Sequence, residues 1–348
     1  MNTYISDIRL ASHQLSGTQI QTPKDLVLWM GAMQAQDYNM SKWAIGIRLS
    51  GYTDKSVEEA FNRGDILRTH VMRPTWHLVS PENIRWMLML SAEKIKASSK
   101  SRDRDLEITE ELYTHTNRLI EKILEGNNHL TREAMAEELK GAGIPVDNAR
   151  MTHFMMRAEV EGIICSGPQQ GKAHTYALLE ERVPQAKSIN KVESLAKLAQ
   201  IYFTSHCPAT LQDFAWWSGL SQTEAKEGLE AVKYSFIPEV IEGQTYWIAP
   251  QFSNVAPVAS SVHLLPAFDE YIISYRDRSA VLPLDHQSQA ISSNGIFRPV
   301  ILQDGQVIGL WKKSATKSRP VDFSFFTPSK VPLLNQALQK LTSHLSVL

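Results

Sequence analysis

The feature that most constrains this chain is an order of elements that returns three times: short helices announced by N-terminal caps, then two extended arms around a turn. In the first pass Thr22 caps a helix starting at Pro23, with Asp25 in its first turn and Leu26, Met30 and Met33 at helical spacing. Ser41 is placed to cap a second helix through Trp43, Ile45 and Leu49, closing near Gly51. Ser56 with Glu59 reads as the capping box of a third, which ends at Gly64. The arms run from Ile66 to Val71 and from Thr75 to Val79 around Arg73-Pro74, and Ser80-Pro81 opens the next helix. The second pass has a helix from Thr131 to Lys140, another from Asp147 to Glu161, and arms at Ile163–Cys165 and His174–Leu178 around Gly167, Pro168 and Gly171. The third has helices at Leu211–Trp217 and Ser221–Val232, then arms at Phe236–Ile241 and Tyr246–Ile248 with Gly243 between them.

Helices followed by a β-hairpin form the winged helix-turn-helix pattern. The three passes share topology without residue-level self-similarity. Beyond them the signal turns to β. Val262–Leu265, Arg298–Leu302, Gln306–Trp311 and Val321–Phe326 read as strands, and Asp304-Gly305 is a two-residue hairpin turn. A last helix from Lys330 to Leu345 keeps Leu334, Leu338, Leu341 and Leu345 on one face. The expected fold is therefore mainly α with β (α+β): tandem winged helices plus a small C-terminal β domain. The boundaries are 1–98 for the first winged helix and its following helix, 99–190 for the second, 191–255 for the third, and 256–348 for the β-rich part with its terminal helix.

A length of 348 residues suits several such modules. No apolar run approaches the roughly 18 residues a membrane helix requires, and Met1 to Leu10 lacks the apolar stretch of a secretory signal, so a cytoplasmic protein with no membrane partner is expected. Cys165 and Cys207 stand far apart and outside any metal-ligand spacing, so neither a metal nor a disulfide framework is expected. The formal net charge of −1 counts against binding nucleic acid by bulk charge alone. Local distribution decides that question, and Lys94–Arg104 and Lys312–Arg319 are both basic; a solvated surface accounts for either as well.

Three stretches could carry chemistry. Gln34-Ala-Gln36 follows the first helix; residues two apart share a side only where the chain is extended, and a pair of solvated glutamines at a helix end fits the spacing too. In Arg73-Pro-Thr-Trp-His77 the alternation puts Thr75 and His77 on one side of a strand, with Arg68, His70 and Arg73 making the hairpin basic; a structural histidine is the alternative. Leu265-Pro-Ala-Phe-Asp-Glu-Tyr271, leading to Tyr275-Arg-Asp-Arg278, is dense in aromatic, acidic and arginine residues and reads as a functional loop or as a salt-bridged structural one. Phosphate-binding loops, dinucleotide fingerprints, HExxH and GxSxG do not occur in useful context, which disfavours triphosphate enzymes, Rossmann dehydrogenases and serine hydrolases.

Taken together, Met33-Gln-Ala-Gln36, the Arg68–Val79 hairpin, Leu264-Leu-Pro-Ala-Phe-Asp-Glu-Tyr271 with Arg276 and Arg278, Asn294-Gly-Ile-Phe297, Asp304-Gly305 and Gly309-Leu-Trp311 resemble the winged-helix family of AlkZ and YcaQ-type DNA glycosylases. The resemblance implies a concave DNA-binding face and a Gln-x-Gln catalytic motif that maps onto Gln34 and Gln36. Ala35 is smaller than the apolar residue associated with this motif. The expected DNA contacts are Arg68, Arg73, Thr75, His77, Asp269, Tyr271, Arg276 and Arg278. The expected function is monofunctional hydrolysis of the N-glycosidic bond of alkylated or crosslinked purines in double-stranded DNA, with no cofactor; a non-catalytic winged-helix DNA-binding protein and a protein-interaction scaffold are the alternatives. Glutamine cannot take up a proton near neutral pH, yet it can position water. That suffices where the leaving base, like an N7-alkylguanine, is already cationic.

Overall fold

A computed structural model describes residues 3–185, 188–256, 260–314, 320–328 and 331–345. The first part of the chain runs α1 (Thr3–Ser12), α2 (Pro23–Met30), β1 (Ala32–Gln34), α3 (Tyr38–Gly46), α4 (Asp54–Arg63), β2 (Leu67–His70), β3 (Trp76–Val79) and the long α5 (Pro81–Asp105). Next come α6 (Glu110–Leu124), β4 (His129–Thr131), α7 (Arg132–Gly141), α8 (Asn148–Val160), β5 (Ile164–Ser166), β6 (Thr175–Leu178) and α9 (Leu179–Arg182). The third run is α10 (Lys191–Ser205), α11 (Leu211–Ser218), α12 (Gln222–Val232), β7 (Ile237–Ile241) and β8 (Gln244–Ile248). The chain closes with β9 (Val262–Leu265), α13 (Glu270–Ile273), α14 (Leu284–Ala290), β10 (Val300–Gln303), β11 (Gln306–Lys313), β12 (Val321–Phe325) and α15 (Leu334–Leu345). The α+β class and the recurring order of helices and hairpin are as the sequence indicates.

The chain gathers into two compact units, one of residues 1–58 and 195–348, the other of residues 59–194. They do not coincide with the four segments expected from element order, because the N-terminal helices share a core with the C-terminal sheet. Leu10, Leu15, Trp43 and Ile47 pack with Leu264, Leu265, Ile301, Leu302, Trp311 and Leu341. Two buried indoles donate to successive carbonyls of β9, Trp43 Nε1 to Leu264 O and Trp311 Nε1 to Leu265 O, both at 2.7 Å. The sheet is antiparallel in the order β12-β11-β10-β9, with its register irregular between Ile301 and Leu302. This unit also holds the third winged helix, whose hairpin β7–β8 is extended by a bridge between Ala209 and Trp247.

The unit of residues 59–194 contains a complete winged helix: α6, β4, α7, α8 and the arms β5 and β6, with the three strands ordered β4-β6-β5. Its core is built from Tyr113, Ile120, Leu124, Met135, Leu139, Phe154, Met155 and Ile164.

Local signals explain where the sequence reading needs correction. Gly31, at φ 77°, ends α2, so Met33 lies in β1 rather than on the helix. Asp37, not Ser41, caps α3; the Ser41 hydroxyl donates back to Tyr38 O inside the helix. Thr53 starts α4, exchanging hydrogen bonds with Ser56. Helices α1, α6 and α10 were not expected, although Thr109 caps α6, and Asn190 and Glu193 bond reciprocally at the start of α10. Of the basic stretch Lys312–Arg319, positions 315–319 lie outside the described residues, as does the expected start of the last helix at Lys330.

Several histidines are enclosed where the cost of desolvation outweighs the attraction of nearby acids. Burial holds His13 well below its usual range, lowers His206, and brings His263 to about 4. A histidine whose pKa is lower folded than unfolded contributes stability that is present above about pH 6.5 and is lost as the pH falls toward the folded value. The melting temperature should therefore drop on acidification from pH 7 to pH 5, and His263→Asn should flatten that slope in a pH series of thermal melts.

Candidate active site

Gln34 ends β1 and Gln36 stands in the bend before α3. β1 ends at Gln34 and α3 begins only at Tyr38, so the two glutamines lie outside any helix. Gln34 is buried and Gln36 exposed, while Ala35 between them is fully enclosed. The bend is held on its far side by Asp37, which accepts from Met40 N at 3.0 Å as the cap of α3.

On its near side the segment is tied to a buried acid. The backbone N–H of Gln34 donates to Glu270 Oε1 at 2.5 Å. The other oxygen of Glu270 accepts from Trp217 Nε1 at 3.2 Å and from the Ser274 hydroxyl. His206 Nε2 lies 3.8 Å from that oxygen, beyond hydrogen-bond range. Burial alone would push the Glu270 carboxyl up; the His206 imidazole, the Ser274 hydroxyl and the Gln34 amide outweigh it and bring the carboxyl down to about 2. It is therefore ionised at neutral pH, beneath the residue expected to act.

The residue before it is equally enclosed. Asp269 receives both terminal nitrogens of Arg48, each at 2.8 Å, and caps α13 by accepting from Tyr271 N at 2.9 Å. Arg48 also donates to the carbonyls of His13 and Ala44 at 2.9 Å. Tyr271 is wholly buried, with its hydroxyl donating to Gly305 O at 3.1 Å. A second buried arginine, Arg9, lies 3.5 Å over the Tyr275 ring and shares Pro208 O between two nitrogens. Tyr275 links His13 Nε2, at 2.7 Å, to the carbonyl of His206, at 2.8 Å.

These contacts correct part of the expected DNA surface. Asp269 and Tyr271 are consumed inside the protein and brace the site from below; their burial leaves nothing to offer a phosphate or a base. Arg276 is exposed. Arg278 is half-buried, its guanidinium 5.3 Å from the Trp216 ring and 5.0 Å from that of Phe297, with Trp216 partly open to solvent. The residues that sequence reasoning passed over are Arg9, Arg48, His206, Trp217 and Glu270. Glu270 was visible only as one acid in a dense motif.

The remaining expected residues lie in the unit of residues 59–194. Arg68 stacks 4.1 Å over the Trp76 ring, and His70, opposite Trp76 in the ladder, is paired with buried Glu159. Arg73 and Thr75 are half-buried. His77 is fully buried: Nδ1 donates to Thr75 O at 2.9 Å and Nε2 is 3.4 Å from Arg73 Nη2, so it holds the hairpin turn instead of facing outward. On α8, Arg150 and Arg157 are bonded to Leu106 O, Glu110 and Glu161, and α12 carries Glu224, Glu227 and Glu230.

The family model for the AlkZ-like DNA glycosylases matches residues 27–342, spanning both units and the Gln34–Gln36 segment. The chain belongs to the AlkZ-like DNA glycosylase family. It is similar to an interstrand DNA cross-link repair glycosylase of Streptomyces sahachiroi, with 23% identity over 309 residues, covering 83% of this chain and 81% of that protein. The solved structure of the Streptomyces sahachiroi DNA glycosylase AlkZ superposes with a TM-score of 0.82 at 19% identity, covering 98% of this chain and 96% of the other. As an AlkZ-like protein, this chain is a DNA N-glycosylase, a hydrolase of N-glycosyl bonds. Among its described residues no group of three or more His, Cys, Asp or Glu could hold a metal ion, and no helix is long and apolar enough to cross a membrane.

If Asp269 braces the fold, Asp269→Ala should cost on the order of 3–5 kcal/mol, since it strands the buried Arg48 charge. Arg276→Ala, at an exposed position, should stay within about 0.5 kcal/mol of wild type in urea denaturation.

Proposed function

We propose that this AlkZ-like glycosylase removes cationic, N7-alkylated or crosslinked purines from double-stranded DNA, with Gln34 and Gln36 holding the attacking water. The observation that carries this reading is the anchoring of Gln34. Its backbone is pinned by an ionised, buried carboxylate, so its neutral side-chain amide projects from a fixed point next to an exposed second amide. A neutral pair of amides can orient water and hydrogen-bond the developing sugar cation. It cannot protonate a leaving base, so the substrate must bring its own positive charge.

The lysine nearest in sequence supports hydrolysis without strand cleavage. Lys42 is buried, and its head group donates to Asp54 at 2.6 Å and Glu58 at 3.1 Å. Those bonds tie it to the start of α4 instead of offering a free amine for a Schiff base with the sugar. DNA is held, in this reading, by Arg276 and Arg278 in the unit that carries the glutamines and by Arg68 and Arg73 in the unit of residues 59–194. Lys100, Arg102 and Arg104 at the exposed C-terminal end of α5 are further phosphate contacts. A cytoplasmic, DNA-associated location follows from that substrate.

The test is release of N7-methylguanine from alkylated duplex DNA. Wild type should release the base, while Gln34→Ala/Gln36→Ala should lose release by at least about a hundredfold with its DNA affinity within about threefold of wild type, since misplaced catalytic groups cost about that much in rate. The product should be an intact abasic strand. Affinity should fall steeply with salt as phosphate contacts release counterions. Salt-sensitive DNA binding without release would instead point to a lesion other than N7-methylguanine as the substrate.

A further inference from the structure

Glu270 lies outside the Gln-x-Gln motif and is buried away from solvent, yet its carboxylate accepts directly from the backbone N–H of Gln34. Its two oxygens divide their work. Oε1 serves β1 through Gln34 N, and Oε2 serves Trp217 on α11 and Ser274 just beyond α13. Backbone N–H groups at strand ends are ordinarily satisfied by a neutral carbonyl or by water. A buried carboxylate in that place costs several kcal/mol of desolvation and is a poor choice for stability alone. Its main-chain anchor is itself immobilised, because the preceding Asp269 is clamped by both nitrogens of Arg48. The result is a rigid path from α3 through Asp269 and Glu270 to the backbone atom from which the Gln34 side chain springs.

We infer that Glu270 is a positioning residue of base excision: through the Gln34 backbone amide its carboxylate fixes where the Gln34 side chain holds water. The inference rests on the assignment of water positioning to Gln34. Both a charge and a length are required. In Glu270→Gln one oxygen becomes an NH2 group, which must face either the Gln34 N–H or the Trp217 N–H, donor against donor. In Glu270→Asp the charge stays but the reach to β1 is shortened. Either change frees the Gln34 backbone while leaving the exposed DNA-facing residues untouched.

The experiment compares single-turnover release of N7-methylguanine from alkylated duplex by full-length wild type, Glu270→Gln, Gln34→Ala and the double variant, with DNA affinity and hydrogen exchange of the segment around residues 32–36 measured alongside. Glu270→Gln is expected to slow release about ten- to hundredfold, the scale on which small misplacements act. Affinity should stay within about threefold of wild type, and exchange at the Gln34 amide should accelerate. The double variant should be no slower than Gln34→Ala, because Glu270 then has nothing left to position. If Glu270→Gln fails to fold, Glu270→Asp makes the same comparison. Wild-type release by a folded Glu270 variant overturns the inference, as does an undiminished effect of Glu270→Gln on top of Gln34→Ala. Wild-type release by Gln34→Ala overturns the role of Gln34 itself, and is recognised by that single variant alone.

Discussion

Asp269 and Glu270 are adjacent carboxylates, both taken out of water, and the unit that carries the Gln-x-Gln segment is organised around satisfying them. Each ion would cost several kcal/mol to bury alone. Asp269 is repaid by a bidentate arginine and a helix-capping amide, Glu270 by an indole, a hydroxyl and the Gln34 amide. Asp269 is bonded to Arg48, just beyond α3, and Glu270 to Gln34 at the end of β1. The N-terminal helices and the C-terminal segment therefore cannot be separated without exposing or stranding charge. Residues 1–58 accordingly belong with residues 195–348 rather than with the chain that follows them.

The same economy runs through the aromatic residues around these acids. Tyr271 and Tyr275 use their hydroxyls on backbone carbonyls, and burial holds both well above the usual phenol range, so they stay neutral donors. Arg9 spends its charge on a tyrosine ring and one carbonyl. This polar interior is costly to assemble, and it delivers rigidity directly under a segment whose side chains are neutral. In the proposed mechanism, where water is held and no proton is moved by the glutamines, a fixed backbone substitutes for a tuned pKa.

Much of the charge on the winged helices is paired within them. The basic residues of α8 are bonded within their own unit, and α12 carries three glutamates beside one lysine. With a net charge of −1, DNA attraction has to come from local concentrations of arginine and lysine, not from the whole molecule.

The sequence by itself determined many of the elements: caps at Thr22, Thr131 and Ser221, the Asp304-Gly305 turn and the leucine face of the last helix are local chemistry acting over a few residues, and they placed the hairpins and the helices α7, α8, α11 and α12 within a residue or two. It also determined the resemblance that picks out Gln34 and Gln36. What it could not determine is which polar residues of a dense motif turn inward. Asp269, Glu270 and Tyr271 read like surface chemistry because acids and tyrosines usually face water. Only the tertiary structure, by bringing Arg48 and Gln34 against residues more than two hundred positions away, decided that they are internal. The reason is physical: burial of a charge depends on partners supplied by the whole fold, and no local pattern records them.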